Sequence, residues 1–148
     1  MNSSQLLAMI PLVPLLAMLA VFATARWPNV RETVSVLAGL LLFGLVVMLV
    51  RQVDSQAAPT FVLAEPFPGL ALALSPEPLG MLFALVASFL WPVTTVYSIG
   101  YMRAHHEENQ TRFYAAFAAS IAATMGIALA SNMLTLFLFY ELLTLATY

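Results

Sequence analysis

The chain has 148 residues, of which 62% are hydrophobic and only 8% charged, with a formal net charge of −2. Soluble domains carry about 25% charged residues, so this composition excludes a water-clothed globular surface and points to a membrane protein. The small net charge and the lack of basic runs exclude a nucleic-acid partner, and the absence of cysteine excludes disulfides, thiolate catalysis and cysteine-based metal sites.

The N-terminal MNSSQLL lacks a basic n-region and no cleavage site follows, so the first apolar run is expected to be retained. That run, residues 6–25, is long enough to span a bilayer. Pro11 and Pro14 within it are read as kinks, tolerable where neighbouring helices satisfy the freed carbonyls. Arg26, Trp27 and Pro28 mark an interface and a turn. A second span is expected over residues 34–50, preceded by Arg31 and closed by Arg51.

From 52 to 78 the character changes. Pro59, Pro66, Pro68, Pro76 and Pro78 rule out a continuous helix. Short extended pieces at 61–63 and 70–74, flanking the turn-rich Pro66-Phe67-Pro68-Gly69, predict a small hairpin on the outer membrane surface. Ser75-Pro76-Glu77 reads as a helix start, with Ser75 as N-cap, Pro76 at the first helical position and Glu77 in the first turn. Glu77 is therefore expected to act as a helix-terminal carboxylate, its functional rival being an outer proton-entry group.

A third span is predicted over 79–97, with Pro92 as a kink, followed by a polar loop from Gly100 to Arg112. His105-His106 in that loop lacks the i, i+4 spacing that puts two histidines on one helix face, and is read as solvated, with no metal site. In the fourth span, 113–130, Ala118, Ala122, Gly126 and Ala130 recur every fourth residue. Such a stripe lets helix backbones approach closely in lipid; a water path beside it is the functional alternative.

The fifth span, 133–148, is apolar or weakly polar except for Glu141. A carboxylate near the bilayer centre costs roughly 2.5–3.5 kcal/mol even on the lenient insertion scale, so such groups face protein, a partner or water. Glu141 shares a helix side with Phe137, Leu138, Thr144, Leu145 and Tyr148. The hydroxyls of Thr144 and Tyr148 are candidates to hydrogen-bond it or to extend a short proton wire. Removal from water favours the neutral acid and a nearby cation favours the carboxylate, so a group balanced between the two can load and release a proton. The residues leave two roles open: a proton relay, or neutral glue between helices worth about 0.6 kcal/mol.

The arginines set the expected orientation. Arg26, Arg31, Arg103 and Arg112 fall in the first and third loops, whereas the hairpin side has Arg51. The positive-inside rule then puts the N-terminus and hairpin outside. The fold expected is an all-α polytopic membrane bundle forming a single domain, with about five transmembrane helices and a small outer β-hairpin between the second and third.

Tyr97-Ser98-Ile99-Gly100-Tyr101-Met102, then Arg112-Phe113, Asn132 and Phe139-Tyr140-Glu141-Leu142-Leu143 resemble, in order and spacing, a large proton-translocating family. That family comprises the antiporter-like subunits of respiratory complex I, membrane-bound hydrogenases and multi-subunit cation/proton antiporters. The ending FYELLTLATY most resembles the D-type subunit of the antiporters. The resemblance implies that Glu141 is a proton-relay carboxylate paired with a lysine two helices later. It also implies a hetero-oligomeric complex in an energy-coupling membrane, the bacterial inner membrane, moving H⁺ against Na⁺ or another monovalent cation. The alternatives it implies are a proton-pumping subunit of a quinone reductase or hydrogenase, and a non-transporting assembly element.

Nothing resembles a nucleotide, haem or iron–sulfur site, so no cofactor is expected and any redox chemistry would belong to partner subunits. Where many members have Asp before the Pro-Leu pair, this chain has Glu77-Pro78-Leu79. Members are much longer, built from two inverted repeats, and this chain has no lysine. It is therefore expected to be the N-terminal portion of such a subunit, needing the remainder in trans.

Overall fold

A computed structural model describes residues 2–53, 59–105 and 107–148. Among them are five helices and one two-stranded sheet: α1 (Ser3–Ala23), α2 (Pro28–Gln52), β1 (Phe61–Phe67), β2 (Leu70–Leu74), α3 (Pro78–His105), α4 (Gln110–Ala128) and α5 (Met133–Thr147). The expected helical bundle with a hairpin between its second and third helices is what the chain forms. By length and composition α1, α2 and α3 are each able to cross a membrane, while α5 is a shorter apolar helix of 15 residues.

At the start of α1 the Gln5 side chain accepts from the Asn2 N–H at 3.2 Å, and the helix continues unbroken through Pro11 and Pro14, both buried. Pro28 stands at the first position of α2, where its missing N–H costs nothing. α2 therefore starts about two turns before the expected 34 and contains Arg31 and Glu32. α3 likewise runs on to His105 rather than 97, so the expected loop from Gly100 is largely helical. Hydropathy closed both spans at their charges, but those charges pair with one another, which lets the helices continue.

The start of α3 also differs from expectation. The Met81 N–H donates to the Glu77 carbonyl at 2.8 Å, so Glu77 caps the helix and Pro78, not Pro76, takes the first position. The Ser75 N–H instead donates to the Leu129 carbonyl at 2.8 Å, tying the end of β2 to the end of α4.

α1 packs against α2 and α4, and α3 against α2 and α4, so these four helices close a ring. Its core joins Leu6, Leu7 and Ile10 of α1 to Leu42, Val46 and Leu49 of α2, Trp91 of α3 and Met125 of α4. The small-residue stripe packs over three of its four members, whereas Ala130 falls beyond the end of α4 and bridges Leu74 of β2. Ala118, Ala122 and Gly126 are buried, and a Cβ at Gly126 would collide with the Phe139 ring of α5. Gly39 plays the same part between α2 and α3, where a Cβ would sit 3.1 Å from Pro92.

β1 and β2 pair antiparallel, Phe61 opposite Leu74 and Phe67 opposite Leu70, with register shifts on either side of Ala64. Pro66, which can donate no ladder bond, falls in the second irregularity. Pro68 and Gly69 make the turn, the glycine at φ 84 in the left-handed region that a type II turn demands at that position. The expected first strand ended at residue 63; β1 is longer because the bulges absorb Pro66.

Candidate functional site

What holds α5 in place is the second half of the four-residue link before it, Ser131 and Asn132. Asn132 caps the helix, its Oδ1 accepting from the Thr135 N–H at 2.9 Å, while its Nδ2 donates to the Ala71 carbonyl of β2 at 2.7 Å. Ser131 donates to the Ala73 carbonyl from both N–H (3.0 Å) and Oγ (2.8 Å), and the buried Thr135 Oγ1 accepts from the Ala73 N–H at 3.0 Å. The hairpin is therefore a bracket that fixes where α5 leaves α4. Phe139 then seats the helix against Gly126.

This bracket settles which side of α5 is left open. Phe137 (56% exposed), Leu138, Glu141, Thr144, Leu145 (76%) and Tyr148 are all exposed, and they are the face that carries the acid. Glu141 lies about 12 Å along the axis from Met133, eight residues at 1.5 Å each. Among the described residues its carboxyl accepts no hydrogen bond and forms no ion pair. The Thr144 Oγ1 donates to the Tyr140 carbonyl at 3.1 Å. Tyr148, one further turn on, is exposed. Glu141, Thr144 and Tyr148 thus share a face, but no hydrogen bond joins them. Beyond the acid, Leu145, Thr147 and Tyr148 form one wall of a cavity of about 700 Å³ whose other wall includes Met18, Phe22 and Arg112. Glu77 is exposed at the opposite, hairpin end of the bundle.

A second polar constellation lies at the end of the bundle away from the hairpin, and the sequence reading missed it. Arg31 (5% exposed) donates from Nη1 to Thr111 Oγ1 and from Nη2 to Gln110 Oε1, both at 2.8 Å, and its guanidinium lies 5.4 Å from the centroid of the Tyr114 ring. Glu32 (4% exposed) receives a two-pronged grip from Arg103, whose Nε donates at 3.2 Å and whose Nη2 contacts the other carboxylate oxygen. The same Nη2 donates to Asn29 Oδ1 at 2.6 Å. α2, α3 and α4 are so tied together at one end. In the sequence Arg31 and Arg103 stand out as orientation markers alone. The one signal available was Glu32 itself, an acid placed beside a basic residue in an otherwise apolar stretch.

His105 belongs to α3, with Nδ1 2.9 Å from the Tyr101 carbonyl and its ring stacked on that tyrosine at 4.3 Å. It is thus helical rather than part of a loop, while His106 lies outside the described residues. No group of three or more metal-ligating side chains occurs among the described residues.

No family model matches the chain. Over 80 residues, 54% of the chain, it is 31% identical to the Na(+)/H(+) antiporter subunit A1 of Staphylococcus aureus strain bovine RF122 / ET3-1, and equally to subunit A1 of strains JH9 and Newman. The matched stretch covers 10% of each of those proteins, so the chain accounts for a small part of their length. This similarity supports the antiporter-like family that the motifs resemble. With three apolar helices long enough to cross a bilayer, it marks a multi-pass membrane protein.

Proposed function

We propose that the chain is the proton-carrying N-terminal part of a subunit of a multi-subunit monovalent cation (Na⁺)/H⁺ antiporter. In this reading it sits in the bacterial inner membrane with the N-terminus and hairpin outside, and Glu141 is the relay carboxylate. The observation that carries the proposal is the open face of α5. An acid with no partner among the described residues, on an apolar surface at hydrocarbon depth, requires a covering element that supplies water, a cation or another acid. A cover of that kind makes the acid's charge state depend on where the cation stands, which is what coupling proton movement to cation movement needs. Thr144 and Tyr148, on the same face, are the hydroxyls placed to extend the route once the cover is in position. Glu77, at the hairpin end, is read as a helix cap.

The D-type assignment rests on the ending FYELLTLATY, whereas the matched relatives bear the name subunit A1. That these relatives are Na(+)/H(+) antiporter subunits also favours an antiporter over a quinone reductase or hydrogenase.

The test is Glu141→Gln in the assembled complex, which keeps shape and hydrogen-bonding capacity but cannot release a proton. In everted vesicles, cation-induced collapse of a pH gradient is expected to fall at least tenfold, with Glu141→Asp retaining part of it. Normal assembly with an unchanged rate in Glu141→Gln would remove the relay and leave helix packing as the acid's role.

A further inference from the structure

The polar constellation at the end of the bundle away from the hairpin has two loose ends. Arg31 Nε and Tyr114 Oη are both buried, and neither has a hydrogen-bond partner among the described residues. Both side chains are almost wholly enclosed, Tyr114 being 2% exposed. They are also neighbours, with the Arg31 guanidinium 5.4 Å from the centroid of the Tyr114 ring. The two atoms therefore belong to one small volume between α2 and α4. Buried polar groups in folded proteins nearly always have a partner, in protein or in ordered water, because burial without one forfeits the hydrogen bonds they made to solvent.

The side chains around these atoms do not supply the partner. Arg31 Nη1 and Nη2 are committed to Thr111 Oγ1 and Gln110 Oε1, which fixes the plane of the guanidinium and hence the direction of its Nε–H. The side chains packed about Tyr114, namely Val21, Ala115, Met18, Ile99 and Met102, are apolar. Solvent does have a way in. A cavity of about 390 Å³ at the seam of α2 and α3 is bordered by Glu32, Arg103 and Ile99, and Ile99 also packs against the Tyr114 cluster. Water in that cavity meets the Glu32 carboxylate, which accepts from Arg103 and keeps lone pairs to spare.

We propose that one ordered water is bound inside this end of the ring, accepting from Arg31 Nε–H and Tyr114 O–H and donating to the Glu32 carboxylate. Two donors and one acceptor are the set of partners a buried water ordinarily has, about three in all. An anion would meet the same two donors but would stand beside the carboxylate, so the arrangement of charge selects the neutral ligand. The water extends the chain of bonds that runs from Thr111 and Gln110 through Arg31, carrying it to Glu32 and Arg103 and drawing in Tyr114. It makes no use of Glu141, so the site and the proton relay stand or fall separately.

The test is electron cryomicroscopy of the assembled complex at a resolution that shows ordered water. A density peak within about 3.2 Å of both Arg31 Nε and Tyr114 Oη is expected. It should lose most of its height in Tyr114→Phe, which keeps the ring and its contact with Arg31. The same variant gives a second reading by sign. Removing a water-paired hydroxyl is expected to lower the midpoint of thermal unfolding by a few degrees, whereas removing an unpaired one would leave it unchanged or raise it. Four results would each overturn the proposal: no peak at this place, a peak that reaches only one of the two atoms, a peak that strengthens when chloride is exchanged for bromide, or a Tyr114→Phe complex at least as stable as the parent.

Discussion

Glu32 and Glu141 are both acids in apolar helices, and they differ in what surrounds them. Glu32 is enclosed and gripped by Arg103, with Arg31 a further 3.9 Å away. Glu141 has neither cover nor cation among the described residues. A carboxylate enclosed in this way and held by a forked arginine is a poor proton carrier, because protonating it would strand the buried Arg31 without a counter-charge. The open acid is free to be governed by whatever covers it. Removing Glu32 would leave Arg31 a buried cation with only neutral partners, and breaking a buried pair in this way costs about 3–5 kcal/mol. Glu32→Ala is therefore expected to lower stability to that extent in detergent–denaturant unfolding. Glu141→Ala should change it little or raise it. A Glu32→Ala protein as stable as the parent would show that the pair contributes no net energy.

This contrast also shows what could be read from the sequence. Glu141 stood out because a lone acid in a long apolar run is a local anomaly. The Glu32–Arg103 pair was invisible because its members lie 71 positions apart, and no periodicity links α2 to the end of α3. The open α5 face was legible as a set of residues by helical spacing, but its being open was not, since that depends on which side α4 takes.

Among the elements, α5 is placed by contacts that small residues permit. Gly126 leaves room for the Phe139 ring, and the Ser131-Asn132 link is bonded to β2. The alternation of small residues in α4 and the Pro68-Gly69 turn were readable because each is a short-range pattern with a steric cause. The ends of α2 and α3 were misjudged because charge was taken to stop a membrane helix. Here the charges are paired, and the backbone continues. Gly126→Val is expected to push α5 off α4 at a cost of about 1–3 kcal/mol, the usual penalty of overpacking. Because the chain has no cysteine, paired-cysteine cross-linking between α4 and α5 reads this displacement cleanly, and the yield should fall. Gly44→Ala is the matched control, as a Cβ there meets nothing within 4 Å, and it should leave the yield unchanged. Equal yields in all three proteins would mean that α5 is positioned by the hairpin bracket alone.

At the scale of the whole molecule, four helices close a ring and the fifth stands beside it, with its acid turned away from α4. Arginines gather at the end opposite the hairpin, giving the bundle the charge asymmetry that orients membrane proteins. Both features suit a piece of a larger assembly in which the outer face of α5 is a working surface rather than a lipid-facing one. The claim that matters most is that the Glu141 carboxyl gains and loses a proton during cation exchange. Infrared difference spectroscopy of the assembled complex in membranes, with the cation gradient switched on and off, observes that event directly. A protonated-carboxyl band that appears and bleaches with turnover, and is absent in Glu141→Gln, is the expected result. A complex that exchanges cations at full rate with no such band assignable to position 141 would contradict it.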